Sequence, residues 1–243
     1  MANLHVMARR SDEKASADGR VDGGEPGAGS AAPLVPPRPT LPNLRAAAAG
    51  CRACHLWERG TQTVFGEGAA AADVVFVGEQ PGDREDLEGH PFIGPAGRLL
   101  ERAIAEAGLD RNRIYITNVV KHFKWEPRGK KRIHQKPNAG EIGACRPWLD
   151  AELAVIRPAA VVCLGATAAQ ALLGKTFKVT QHRGEVMPSA VAPLVMGTIH
   201  PSSILRAPDD ETRRAELERF VEDLKKLRDA LARAGVGDSR GRG

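Results

Sequence analysis

Cys51-Arg52-Ala53-Cys54 sets two thiols at the spacing of half a metal site. Two more ligands are needed to close a four-ligand shell, and the chain has two further cysteines, Cys145 and Cys163. Each of those alone reads as a core cysteine rather than a ligand. Together with the C-x-x-C pair they read as a shared metal site. Spacing does not separate zinc from iron–sulfur, although the second pair is not another C-x-x-C, which disfavours a zinc ribbon. With His55 the pair also spells C-x-x-C-H, a c-type haem attachment sequence. That reading is disfavoured, because haem attachment needs export and the N-terminus has no apolar signal-peptide core.

Three other polar residues follow apolar runs. Glu79 follows Asp73–Val77 and Gly78, Asn118 follows Arg113–Thr117, and His200 follows Leu194–Ile199. A third group is a basic block. Lys121 to Lys136 holds seven Lys or Arg against one Glu, a net of +6 where the whole chain carries +5. Such a block is usually a solvated surface. Phe123, Trp125 and His134 among the cations shift the reading toward nucleic acid, because aromatic rings stack on bases while cations meet phosphate.

The elements that must position these residues follow from the pattern. Asp73–Val77 is β-branched and apolar without alternation, a strand buried on both faces. Gly78-Glu79-Gln80-Pro81-Gly82 then turns sharply, and its glycines let backbone approach a ligand. Glu79, His90 and Phe92 ride on a long loop at the C-terminal end of that strand, where open α/β sheets bind ligands. The plainer reading is a charged loop plugged by Phe92. Gly94-Pro95 opens a helix with a stripe of Leu99, Leu100, Ala103, Ile104 and Ala107, and Gly108 closes it. Asn138 and Glu141 form a capping box before a helix carrying Cys145, with a kink expected at Pro147. Ala160–Leu164 is a third strand, holding Cys163. Gly165–Leu173 is a short helix, and residues from about Glu211 to Ala234 form the last helix. Proline, glycine and charge argue against any regular element between Glu126 and Pro137.

Strands alternate with helices, so the class is α/β with a largely parallel sheet. That topology delivers Glu79, Asn118 and His200 to one sheet edge, and their convergence weighs more than any one of them. At 243 residues, 42% hydrophobic and 27% charged, the chain has the profile of one globular domain plus tails. Residues 1–42 read as a disordered N-terminal tail, 43–234 as the folded domain and 235–243 as a C-terminal tail. No apolar run reaches the roughly 18 residues that span a bilayer. With no membrane partner and no leader, a cytoplasmic monomer is expected.

These motifs together resemble the uracil-DNA glycosylase superfamily over about Asn43 to Ala234. The likeness is to its iron–sulfur branch, and more narrowly to the cross-linking UdgX type. Gly78-Glu79-Gln80-Pro81-Gly82 is similar to the first motif, Gly89–Gly94 to the aromatic segment, Thr117–Lys121 to the Asn motif and His200-Pro201-Ser202-Ser203 to the His motif. Cys51, Cys54, Cys145 and Cys163 fall where that branch places four [4Fe-4S] ligands. The block ending Arg132-Ile133-His134 resembles an insertion of the form K-R-R-I-H, with Lys131 standing at its first Arg. Lys does not reproduce the planar fork of Arg.

The resemblance implies a three-layer α/β/α sandwich on a four-stranded parallel sheet. It implies a [4Fe-4S] cofactor, uracil-containing DNA as the partner, single- or double-stranded, and excision of uracil. For the UdgX type it also implies a covalent link between His134 and the sugar. Under it, Phe92 stacks on the base, Asn118 pairs with the O4 and N3–H edge, and His200 bonds O2. Gly78, Gln80 and Ser202 contact the nucleotide, while Glu79 stabilises the sugar cation or orients a nucleophile. Lys130, Lys131 and Arg132 grip phosphate and hold His134 over the site. Two other readings compete: a turnover glycosylase whose basic loop only grips phosphate, and a non-catalytic module that senses uracil or single-stranded DNA.

Overall fold

The computed structural model describes residues 29–236. Its centre is β2 (Val74–Gly78), buried at every position. Successive side chains of a strand point to opposite faces. Here Val75 and Val77 enter one apolar layer with Leu44, Trp148, Leu149 and Cys163. Val74 and Phe76 enter the other, with Leu100, Ile104, Phe220 and Leu224. A strand apolar on both faces therefore needs helices on both. They are α1 (Leu41–Ala48), α4 (Ala139–Ile156) and α5 (Ala166–Leu173) on the first face, with α3 (Pro95–Ala107), α7 (Pro201–Leu205) and α8 (Asp210–Arg233) on the second. The short α2 (Asp83–Glu88) and α6 (Val179–His182) complete the α-helices of the described residues.

β2 pairs in parallel with β3 (Ile114–Asn118) and with β6 (Ala160–Leu164), and β6 pairs in parallel with β8 (Leu194–Thr198). The register aligns Gly78 with Asn118, so the chain leaves both strands at the same level. This is the expected α/β/α arrangement, but the strand count needs correction. β1 (Glu67–Gly68) and β7 (Val186–Met187) add antiparallel edges to the four parallel strands, giving six in the order β1-β3-β2-β6-β8-β7. Each edge strand has two residues, too few for any periodicity to register.

The segment between Glu126 and Pro137 is also corrected. It is a β-hairpin, β4 (Trp125–Arg128) and β5 (Lys131–His134), in which Trp125 faces His134 and Arg128 faces Lys131. Pro127 is tolerated because the ribbon has only two strands, and Gly129 makes the turn with φ of 61°. The glycine and proline that argued against regular structure are the residues of a tight ribbon. The N-terminal boundary moves too. Ala31 is buried and its N–H donates to the Ala144 carbonyl, while α1 starts at Leu41 under a Thr40/Asn43 capping box. The remainder of the expected tails, residues 1–28 and 237–243, lies outside the described residues. Among the described residues no helix is long and apolar enough to cross a membrane.

Candidate active site

A cleft of about 620 Å3 opens at the C-terminal ends of the parallel strands, lined by Glu79, Phe92, Asn118, His134, Thr167 and His200 among others. A larger hollow of about 1380 Å3 lies at the other end of the strands, around Asp73, Arg113 and Pro193, and touches none of them. Parallel sheets bind ligands at their C-terminal ends, and the convergent polar groups are there.

One half of the cleft is a flat slot. Asn118 is 2% exposed, and its Oδ1 has no hydrogen-bond partner. An orphaned buried acceptor calls for a donor that enters from outside. A Cβ on Gly78 would fall 2.6 Å from Phe92 Cζ and against Asn118 Oδ1, so only glycine lets ring and amide close on the strand end. Phe92 itself has φ of 56°, a left-handed conformation rare outside glycine. Its carbonyl occupies the space that a Cβ on Gly97 would take, so Gly97 of α3 admits the bend. The ring centroid of Phe92 lies 5.7 Å from that of His200, tilted by 32°.

His200 caps α7. Its Nδ1 accepts from the Ser202 N–H at 3.1 Å, with the Ser202 hydroxyl at 2.8 Å. Accepting at Nδ1 puts the ring proton on Nε2, which is then a donor. Burial, aided by Arg206 and His134, pushes the His200 pKa down from 6.5 to about 4, so the ring is neutral at pH 7. The sign follows: below 6.5 the unfolded chain takes up a proton that the folded one refuses, so stability should fall as pH drops from 6.5 toward 4. The loss is at most about 3 kcal/mol. Denaturant midpoints across that window, compared with His200→Asn, check it; the variant should show a shallower slope.

The other half is a cluster of polar and ionisable side chains. The Thr167 hydroxyl donates to Glu79 Oε2, and His134 Nε2 lies 3.3 Å from Glu79 Oε1. His134 arrives from the hairpin, which two side chains fasten. Gln80 binds both legs, accepting from the Lys124 N–H at 3.0 Å and donating to the Gln135 carbonyl at 2.9 Å. Arg132 donates to Asp83 at 2.5 Å and to the fully buried Asp86 at 2.6 Å, beneath Phe123 and Trp125. The structure thus gives Gln80 partners at the two legs of the hairpin and Arg132 partners outside it, all within the protein. Arg132→Ala would leave Asp86 buried with a lost cation, at a cost on the order of 3 kcal/mol. Thermal melting should show that loss.

Lys130 and Lys131 are exposed at the hairpin turn, and His90 is turned away from the cleft toward Glu67 at 2.7 Å. Thr167, Lys136 and Arg206 line the cleft without having been singled out in the sequence. Thr167 was findable: β6 is a parallel strand, and the residues just beyond its end face the same edge as Glu79.

Residues 65–225 match the family model described as the Uracil DNA glycosylase superfamily. The chain belongs to that superfamily. The type-4 uracil-DNA glycosylase of Thermotoga maritima is 37% identical over 186 residues, covering 76% of this chain and 91% of that protein. That of Sulfurisphaera tokodaii is 36% identical over 199 residues, covering 78% and 84%. A type-5 uracil-DNA glycosylase of Pyrobaculum aerophilum is 34% identical over 131 residues, about half of each chain.

In this superfamily member the four cysteines are free and buried in one apolar layer. Trp148 Nε1 donates to Cys51 Sγ at 3.3 Å, and the Lys121 N–H donates to Cys145 Sγ at 3.2 Å. Burial pushes the Cys145 thiol up to about 12; Lys121 opposes this, and Cys54 and Cys51 add to it. Burial alone raises Cys163 to about 12, against Arg146. Four free thiols suit a Cys-ligated group in donor chemistry, and three of them feel one another. Among the described residues, though, no three His, Cys, Asp or Glu side chains are arranged to hold a metal ion.

Proposed function

We propose that this protein removes uracil from DNA and then holds the resulting sugar through a covalent bond to His134. The observation that carries this reading is the placement of His134 Nε2 3.3 Å from Glu79 Oε1, beside a slot with an orphaned amide. A glycosylase must swing its base out of the helix. In the slot, Phe92 stacks on the extruded ring. Asn118 Oδ1 accepts from N3–H and its amide nitrogen donates to O4. The neutral His200 donates Nε2–H to O2.

When the C1′–N1 bond breaks, its electron pair leaves with uracil, and His200 stabilises the charge on the departing base. Glu79 stabilises the sugar cation, as carboxylates do in glycoside hydrolysis. Glu79 then takes the proton from His134 Nε2, and the freed lone pair bonds C1′. An imidazole already in place competes with water because its positioning entropy has been spent in folding. Lys130 and Lys131 at the hairpin turn, with Lys136 and Arg206 at the mouth, meet phosphate.

The type-4 names of the relatives favour a second reading, in which Glu79 orients a water and the enzyme turns over. Incubation with a uracil-containing oligonucleotide separates the two. Free uracil with a denaturant-resistant protein–DNA band supports the covalent reading. Repeated uracil release without that band supports turnover. Salt-sensitive binding with no uracil released would overturn both and leave a binding module.

The same proposal assigns a [4Fe-4S] cluster to Cys51, Cys54, Cys145 and Cys163, supported by their free, buried state. When bound, the cluster would tie the C-x-x-C segment to α4 and β6, and no chemical step runs through it. Anaerobically purified protein should carry about four iron and four sulfide per chain. Zinc without labile sulfide would refute the assignment.

A further inference from the structure

Beneath the slot lies an ion pair that the chemistry above does not use. Lys121 and Glu152 have side chains 1% and 0% exposed, with Nζ 2.5 Å from Oε2. The ammonium also donates to Thr117 Oγ1 at 2.6 Å and to the Asn118 carbonyl at 2.8 Å, so its three protons are all engaged. Glu152 Oε1 accepts from the Tyr115 hydroxyl at 2.8 Å and the Gly66 N–H at 3.1 Å. The Thr117 hydroxyl bonds the carboxylate as well, at 3.0 Å. The ring of Phe65 stands 5.3 Å from Nζ.

A buried ion pair adds little stability over apolar residues of the same volume, so stability is a poor reason for this one. Its geometry offers another. Asn118 is the last residue of β3, and the next three residues leave the sheet. Val119 and Val120 donate to the Gly78 and Glu79 carbonyls, and the Lys121 N–H donates to Cys145 on α4. Lys121 then folds back, so that its Nζ holds the peptide of Asn118 from below. Glu152, also on α4, holds Nζ. The amide of Asn118 has no bond at its own Oδ1 to keep it in place. Its aim therefore depends on how firmly the peptide beneath it is held.

We infer that Lys121 and Glu152 are positioning residues that set the Asn118 amide against the uracil edge. This inference rests on the proposed role of Asn118 in reading the base. The test is Lys121→Met/Glu152→Gln. It removes both charges together, keeps an acceptor for Tyr115 and Gly66, and deletes the bond to the Asn118 carbonyl. The fold should survive, with a melting temperature within several degrees of wild type, because no charge is left unpaired. Single-turnover uracil excision should fall roughly 10- to 100-fold, and in an Asn118→Ala background the same replacement should cost less than about 3-fold.

A merely structural role predicts equal losses in both backgrounds. That result overturns the inference, as does a folded variant with the wild-type rate. If the double variant does not fold, Lys121→Leu/Glu152→Gln, which likewise leaves no charge unpaired and lacks the bond to the Asn118 carbonyl, enters the same cycle. If wild-type protein releases no uracil, the proposed function fails instead. The 15N–1H signals of the Asn118 side-chain amide then decide the positioning claim. They should be a single sharp pair in wild type and broadened or doubled in the variant, and an unchanged pair refutes it.

Discussion

His134→Ser should abolish the denaturant-resistant complex with uracil-containing DNA while leaving uracil release within about an order of magnitude of wild type. Serine is too short to span to the sugar, and its hydroxyl is a weaker nucleophile than imidazole when no base contacts it. The slot formed by Phe92, Asn118 and His200 does not depend on residue 134, so cleavage proceeds. The space vacated beside Glu79 admits a water that the carboxylate can orient, and the variant should then release more than one uracil per protein. Denaturing gels read the complex, and uracil release against protein concentration reads the turnover. A variant that still cross-links at the wild-type rate means that another group attacks C1′, and the assignment of His134 is lost.

The parts of this site legible in the sequence were those set by strand ends. Val74–Gly78, Ile114–Asn118 and Leu194–Thr198 are short apolar runs, each closed by the start of a turn, and parallel strands end on one edge. Glu79, Asn118 and His200 therefore group from the sequence alone. The hairpin was not legible, because a two-stranded ribbon with no buried side chain of its own shows no apolar alternation; charge, Pro127 and Gly129 look the same in a loop. The long-range polar contacts were hidden for a different reason. Arg132 reads as a phosphate grip until Asp83 and Asp86, 49 and 46 residues earlier, are found beside it. Gln80 reads as part of a ligand loop until its amide is seen joining Lys124 to Gln135. Pattern reports which face of an element is apolar, and it carries no information about which polar side chains meet across the fold.

Glu79→Gln should separate the two halves of the proposed chemistry from the other side. The substitution keeps the length and an acceptor for the Thr167 hydroxyl, and the site is partly open, so the fold should be little changed. What disappears is the negative charge beside the developing sugar cation and the base that takes the proton from His134 Nε2. Losing a positioned charge at the reacting centre costs about 10²- to 10³-fold in the chemical step. Uracil release and cross-linking should therefore fall together, whereas His134→Ser removes only the second. Combining the two substitutions should give the release rate of Glu79→Gln alone, because a residue that acts after bond cleavage cannot slow a step already limiting. Rapid-quench measurement of uracil release under single-turnover conditions provides the comparison. A Glu79→Gln protein that releases uracil within about 5-fold of wild type would show that the carboxylate is not needed for cleavage. The contact between Glu79 and His134 would then serve only to hold the hairpin against the cleft.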